Sequence, residues 1–240
     1  MKVHFTLQGK GGVAKTVIAG YIAQYYLDRG EQVLAINTDP VNATLASMKA
    51  LEVQNIELLQ DDQINARAFD RMIDLIVKHP GPVVVDNGSS SFVELSNYLV
   101  RNDAVNFLQN EFNRTVVPHS IIIGGQSYLE TLDGFYQLTL TMPETVKIAV
   151  WLNDFYGPVV NDEGDEFEKT GVYAETRDRI QAILRLVKRE AKTFGEDIRL
   201  MLQKRQTFGE AISDEATELM AKQRLKMTQR EIYLQLGLVA

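Results

Sequence analysis

The chain lacks cysteine entirely and has only three histidines and one tryptophan in 240 residues. Without cysteine, disulfides and cysteine-ligated zinc or iron–sulfur sites cannot form. The histidines, His4, His79 and His119, are far apart in the sequence, so a histidine metal cluster is not expected either. An iron–sulfur electron carrier is therefore excluded.

Long apolar runs are also missing. No segment approaches the roughly 20 apolar residues that cross a bilayer, and the first residues alternate like a strand instead of forming a basic segment and an apolar run. We therefore expect a cytoplasmic protein without an integral membrane segment. The apolar content of 45% is sufficient for a sizeable core, and the length favours a single domain over residues 1–240.

Positive charge is scarce except near the C-terminus. Residues 1–170 hold 12 lysines and arginines against 22 aspartates and glutamates, whereas residues 171–240 hold 13 against 10. The formal net charge of −7 disfavours a generally basic nucleic-acid binder. Any contact with nucleic acid is expected in the C-terminal third, where the segment from about 189 to 240 is predicted to be helical.

A glycine-rich segment, QGKGGVAKT, lies between a predicted strand and a predicted helix near the start of the chain. This order is typical of a phosphate-binding loop, in which backbone N–H groups and the following helix N-terminus hold phosphate oxygens. Lys15 would reach the β- and γ-phosphates, and the Thr16 hydroxyl would bind Mg²⁺. Ala14 stands where the general pattern has its second glycine. The predicted ATP-binding residues are Gly9, Lys10, Gly11, Gly12, Val13, Ala14, Lys15, Thr16 and Val17.

Two further predicted strands are followed by a carboxylate. Asp39 comes shortly after the apolar run 32–36, and Asp86 ends the run 83–86. Ligands bind at the carboxyl ends of strands in open α/β sheets. Asp86 has the form of a Walker B aspartate, which holds Mg²⁺, and Asp39, also after a strand, is a further candidate metal residue. The alternation of strands and helices predicts an α/β fold of three layers, a mostly parallel twisted sheet with helices on both faces.

The KGGxxKT arrangement resembles the deviant Walker A motif of the ParA/MinD family of P-loop ATPases. The resemblance implies that Lys10 reaches the phosphates of a partner subunit in an ATP-bound homodimer. It also implies that Asp39 orients the attacking water near Mg²⁺ and that Asn153 reads the adenine edge. Asn37 departs from the family pattern, which often has aspartate there. Spacing alone is equally compatible with Asn153 as a turn residue.

A narrower resemblance, to the TraL family of conjugative plasmid transfer regions, covers nearly the whole chain. Segments 7–13, 38–44, 85–92, 124–126, 151–153 and 156–158 carry it, together with the run around 223–226. It implies an ATPase that positions DNA or transfer-machinery proteins in conjugation. A plasmid-partition ATPase that binds DNA non-specifically and a DNA-independent protein-positioning ATPase remain alternatives. A membrane binder of the MinD type is disfavoured, because the apolar tail 233–240 is short and lacks cations.

Several local predictions depend on single residues. Cations near the end of the last predicted strand and in the final helix are candidates for contact with DNA phosphates; they are Lys188, Arg189, Lys192, Lys222, Arg224, Lys226 and Arg230. Asp214 is expected to cap that helix. A short helix is predicted over 43–51, and the Ser-rich segment 87–91 is interpreted as a γ-phosphate sensor, a helix cap, or both.

Overall fold

The main feature of the fold is one parallel sheet. The computed structural model describes residues 1–41, 44–61 and 63–240. Its strands are β1 (Lys2–Thr6), β2 (Leu34–Asn37), β3 (Gln54–Asn55), β4 (Leu59–Gln60), β5 (Gln63–Ile64), β6 (Val83–Asp86), β7 (Thr115–Ile123), β8 (Ile148–Asn153) and β9 (Ile180–Leu186). Seven of them pair in the order β3-β2-β6-β1-β7-β8-β9, and each neighbouring pair is parallel. β4 and β5 form a separate antiparallel pair.

Helices follow most strands of the main sheet. They are α1 (Lys15–Asp28), α2 (Ala68–Lys78), α3 (Phe92–Arg101), α4 (Ala104–Phe112), α5 (Tyr128–Thr141), α6 (Gly171–Thr176), α7 (Phe194–Gln203), α8 (Phe208–Ser213) and α9 (Leu219–Leu236). None of the helices in the described ranges is long and apolar enough to cross a membrane.

Two hydrophobic cores lie on opposite faces of the sheet. In β6, Val83 and Val85 pack into one core while Val84 packs into the other, as the two-residue period of a strand requires. Helices α2 to α5 cover the first face, and α1, α7, α8 and α9 cover the second. This arrangement confirms the predicted three-layer α/β fold, and it explains why the inner strands are nearly continuous apolar runs.

The strand order brings the predicted site together. β2, β6 and β1 are consecutive neighbours, so the residues after them meet at one edge of the sheet. The glycine-rich segment follows β1, Asp39 follows β2, and Asp86 ends β6. The fold therefore gathers three distant parts of the sequence at the carboxyl ends of adjacent strands.

Some predicted elements differ from the structure. The helix predicted over 43–51 begins outside the described residues, and its described part consists of two 3₁₀ turns, Leu45–Ser47 and Lys49–Leu51. Asp214 does not cap the final helix: its carboxylate accepts a hydrogen bond from the Ala216 N–H, and the helix begins only at Leu219. The aspartate forms a local turn instead, a conformation that competes with helix capping.

Candidate functional site

The glycine-rich loop has two residues in the left-handed backbone region. Gly12 has a φ of 75° and Ala14 a φ of 83°. Ala14 immediately precedes α1 and so sets the turn into the helix. Glycine adopts this conformation without strain, whereas an L-residue with a Cβ does so at a cost. The Ala14 departure noted in the sequence thus falls on a backbone position that favours glycine.

Lys15 is held inside the loop that precedes it. Its Nζ donates a hydrogen bond of 2.8 Å to the Lys10 carbonyl, and only 7% of the residue is exposed. Burial lowers the pKa of Lys15 to about 8, although the nearby carboxylates of Asp86 and Asp39 act in the opposite direction. The ammonium group is therefore partly desolvated and lies in the field of two acidic side chains.

Asp86 is a buried carboxylate at the end of β6. The Thr6 hydroxyl donates to its Oδ1 at 3.1 Å, and the Thr16 hydroxyl also hydrogen-bonds to it. Burial raises the pKa of Asp86 to about 6, with a smaller contribution from Asp39, while the two hydroxyls and Lys15 oppose the shift. Its Oδ2 is buried and has no hydrogen-bond partner among the described residues.

The Asp39 side chain is positioned by its neighbours. Its backbone N–H donates to the Asn37 Oδ1 at 3.3 Å, and its own Oδ1 accepts from the Val41 N–H at 2.8 Å. A Cβ at Gly88 would lie 2.7 Å from the Asp39 Cγ, so only glycine fits there without displacing the carboxyl group. Asn37, which departs from the family pattern, is 4% exposed and shapes this turn with its side chain.

Hydroxyl and amide groups join the two segments that follow β2 and β6. The Thr38 hydroxyl donates to the Asn87 Oδ1 at 3.0 Å, and the single Ser91 O–H has two acceptors within reach, the Asn87 Oδ1 at 2.9 Å and the Thr38 carbonyl at 3.1 Å. All three side chains are buried. Ser91 therefore bonds across to the Asp39 segment, and its side chain makes no capping bond to α3, so the interpretation of this segment as a helix cap is wrong for Ser91.

The donor set suits a magnesium ion bound together with phosphates. The orphaned Oδ2 of Asp86 and the adjacent Thr16 hydroxyl are hard oxygen ligands, and Mg²⁺ in nucleotide sites needs only one or two such groups beside phosphates and water. Within residues 1–41, 44–61 and 63–240, no three His, Cys, Asp or Glu side chains form a metal-ligand cluster. The residues thus fit a phosphate-dependent Mg²⁺ site and not an all-protein cage.

Asn153 and Tyr156 connect the end of β8 to the loop. Asn153 is 3% exposed; its Nδ2 donates to the Val13 carbonyl at 3.2 Å, and its Oδ1 accepts from the Phe155 N–H. The Tyr156 hydroxyl donates to the Gly12 carbonyl at 2.7 Å. Both side chains bond to the loop backbone, so Asn153 acts here as a turn residue and a brace. Its role in adenine recognition stays a prediction.

Lys10 pairs with an acidic side chain from a different part of the fold. Its Nζ lies 2.8 Å from the Oε2 of Glu130, in the first turn of α5. The two side chains are 37% and 56% exposed. Nothing in the sequence around Glu130 signals this contact, because it depends on how α5 lies against the loop.

Two of the seven predicted DNA-contact cations are paired with acidic side chains. The guanidinium of Arg224 bonds to Asp197 at 2.5 Å, and that of Arg189 bonds to Glu231 at 2.9 Å. The second contact places Arg189, which follows β9, against α9, whereas the first joins α9 to α7. Lys226 and Arg230 are exposed on α9. Acidic partners from other elements thus neutralise two of the seven cations.

Known proteins resemble the chain over nearly its full length. Residues 5–216 match the family described as the CobQ/CobB/MinD/ParA nucleotide binding domain. The Escherichia coli protein TraL is 43% identical over 239 residues, which cover 100% of this chain and 98% of that protein.

Solved structures show the same fold at low identity. The MinD cell division protein of Aquifex aeolicus has a TM-score of 0.55 and 16% identity, with 96% of this chain and 95% of that chain covered. A putative plasmid partition protein of Borrelia burgdorferi, bound to AMPPNP, has a TM-score of 0.50 and 15% identity, with 98% and 99% covered.

Proposed function

Because the chain belongs to the CobQ/CobB/MinD/ParA nucleotide-binding family, and within it to the TraL proteins, we propose that it is a Mg²⁺-dependent ATPase that dimerises on binding ATP. Its proposed role is to position DNA or transfer-machinery proteins during conjugation. One observation supports this function above all. Lys15 and Thr16, at the start of α1, lie close to Asp86 and Asp39, which follow two adjacent strands.

Phosphoryl transfer needs positioned charge more than covalent chemistry from the protein. The backbone N–H groups of the loop would hold the phosphates, and Lys15 would exchange its bond to the Lys10 carbonyl for a phosphate oxygen. Thr16 and Asp86 would hold Mg²⁺, which when bound neutralises charge on the phosphates. Asp39, fixed by Asn37 and the close approach of Gly88, would orient the attacking water.

Lys10 would complete the site of a second subunit. Its ammonium is directed to Glu130 and not into its own loop, where Lys15 is bound. A lysine contributed in trans makes hydrolysis depend on dimerisation. ATP and the product would then favour different assembly states because they differ in contacts to the γ-phosphate.

DNA contact belongs to the proposal through the surface shared by α9 and the segment after β9. Its exposed cations include Lys188, Lys192, Lys226 and Arg230, whereas Arg224 and Arg189 are paired with acids. Binding to phosphates weakens steeply with salt. Salt-sensitive DNA retention that requires ATP would favour a DNA-positioning or partition role, and its absence would favour positioning of proteins without DNA.

Replacement of Lys15 by alanine tests nucleotide binding. The variant is expected to lose ATP affinity by at least about tenfold, because charge-assisted hydrogen bonds contribute about 1.5–3 kcal/mol. Calorimetric titration of Mg-ATP into wild type, Lys15→Ala and the exposed-lysine control Lys78→Ala measures this. Equal affinity in wild type and Lys15→Ala would contradict the assignment of the loop.

A further inference from the structure

Two polar contacts tie the phosphate-binding loop to α5. Gln8, just before the loop, is 1% exposed, and its Nε2 donates to the carbonyls of Ile121 and Thr131 at 2.9 and 3.0 Å. Lys10, two residues later, forms the 2.8 Å pair with Glu130. The first contact is buried, so it holds α5 against the segment before the loop whether or not the second contact is formed.

The Lys10–Glu130 pair is suited to opening. Both side chains are more than one-third exposed, and exposed ion pairs contribute little because water competes for both charges. Gln8 continues to hold α5 against the loop when the pair is broken. The ammonium of Lys10 can therefore leave Glu130 without any rearrangement of the core.

We propose that Glu130 is a positioning residue that holds Lys10 within its own subunit and competes with the partner's nucleotide for it. The inference rests on the proposed function, in which Lys10 acts across a dimer. Each subunit must give up its Lys10–Glu130 contact when the dimer forms. The partner's nucleotide has to attract the Lys10 ammonium more strongly than one carboxylate does. A triphosphate attracts it more strongly than a diphosphate, because it carries more negative charge. Glu130 thus raises the free energy that contacts across the dimer must supply before the subunits associate.

The direction of the expected effect separates this role from a structural one. Glu130→Gln removes the competing charge but keeps the size of the side chain, so it is expected to strengthen ATP-dependent dimerisation. Loss of an exposed ion pair changes an equilibrium constant by up to about fivefold, and two such pairs are broken when a dimer forms. We expect the dissociation constant of the ATP-bound dimer to fall on the order of tenfold. Loss of a merely structural contact would weaken the dimer or leave it unchanged.

Sedimentation velocity over a protein concentration series, with Mg-ATP or Mg-ADP, measures the effect on the full chain. Asp133→Asn is the matched control, because Asp133 is an exposed carboxylate one turn further along α5 that accepts from Gln137; it is expected to dimerise like wild type. In a Lys10→Ala background, Glu130→Gln should have no effect on assembly, because its target is gone.

The outcomes distinguish the two levels of the proposal. Wild type that stays monomeric with ATP at every concentration would contradict the proposed function and the role of Glu130 with it. Wild type that dimerises with ATP, while Glu130→Gln has the same or a larger dissociation constant, would overturn the role of Glu130 alone. An equal fall of the dissociation constant in Asp133→Asn would also overturn it. The effect would then come from the loss of any negative charge on α5 and not from the Glu130 contact.

Discussion

A single backbone position shows how this loop departs from the general pattern. Ala14 adopts a left-handed conformation with φ of 83° directly before α1. For an L-residue this conformation costs about 1–2 kcal/mol. The loop keeps its shape because β1 and α1 hold both of its ends and because Asn153 donates to the adjacent Val13 carbonyl. Ala14 is therefore a strained residue within a well-braced turn.

Ala14→Gly is expected to raise the free energy of unfolding by about 0.5–1 kcal/mol. The relief of backbone strain exceeds the additional chain entropy that glycine brings to the unfolded state. The matched control is Ala221→Gly within α9, which is expected to destabilise by about 1 kcal/mol. Urea unfolding of the three proteins without nucleotide measures both changes. Destabilisation of Ala14→Gly by as much as the control would contradict strain at this position.

The sequence pattern was sufficient to place Lys15 and Thr16 together, because a strand, loop and helix in that order have one common geometry. It also pointed to Asp86 as their neighbour, because Asp86 ends another strand and ligands bind at the carboxyl ends of the strands. It could not identify Glu130, whose contact with Lys10 depends on the packing of α5 beside the loop. The brace from Tyr156 to the Gly12 carbonyl was missed for the same reason. A contact between common residue types that are far apart in the sequence leaves no motif near either residue.

At the scale of elements, a buried chain of rings joins α1, β1, β7 and β8. The Trp151 Nε1–H donates to the His119 Nδ1 at 2.9 Å. The other nitrogen of His119 must then carry the proton and donate to the His4 Nδ1 at 2.9 Å, and His4 in turn donates from Nε2 to the Tyr26 hydroxyl at 2.8 Å. Both histidines are fully buried and neutral. The network specifies one arrangement of α1 against the sheet.

Acid is expected to destabilise the protein through these histidines. Burial lowers the pKa of His119 to about 3 and that of His4 well below its usual value. Unfolding restores values near 6.5, so the unfolded state binds more protons and stability is lost as the pH falls below about 6.5. For the two histidines together, the free energy of unfolding is expected to fall by about 2–3 kcal/mol between pH 7 and 5.5.

Urea unfolding at several pH values measures this slope. His4→Gln removes one titrating group and is expected to halve the histidine contribution to the pH dependence, whatever its effect on stability at pH 7. Carboxylates titrate equally in both proteins, so the difference between them isolates the histidine. An identical pH slope in wild type and His4→Gln would contradict a buried neutral His4.

The strands were the elements best predicted from the sequence. The predicted run 83–86 coincides with β6, because a strand covered on both faces is continuously apolar. The region 43–51 was less predictable, since a 3₁₀ turn and a short α-helix have similar local patterns. Asp214 was misleading because aspartate favours turns as well as helix caps.

At the scale of the whole molecule, the candidate nucleotide site and the candidate DNA-contact cations lie on different elements of the fold. The nucleotide-site candidates occupy the carboxyl ends of the central strands, while the candidate DNA-contact cations lie on α9 and on the segment after the edge strand β9. Residues 1–170 carry an excess of acidic side chains, so the proposed contact with DNA phosphates is expected at these cations and not elsewhere. The division of the chain into a single domain over 1–240 stays a prediction.

The central claim is that Lys10 completes the ATP site of a second subunit. Sedimentation velocity of wild type, Lys10→Ala and the control Lys78→Ala, each with Mg-ATP and with or without DNA, tests it most directly. Lys78 also forms an exposed ion pair, with Asp74. We expect wild type and Lys78→Ala to dimerise with ATP, and Lys10→Ala to bind ATP but remain monomeric. ATP-dependent dimerisation of Lys10→Ala at the same protein concentration as wild type would contradict this role of Lys10.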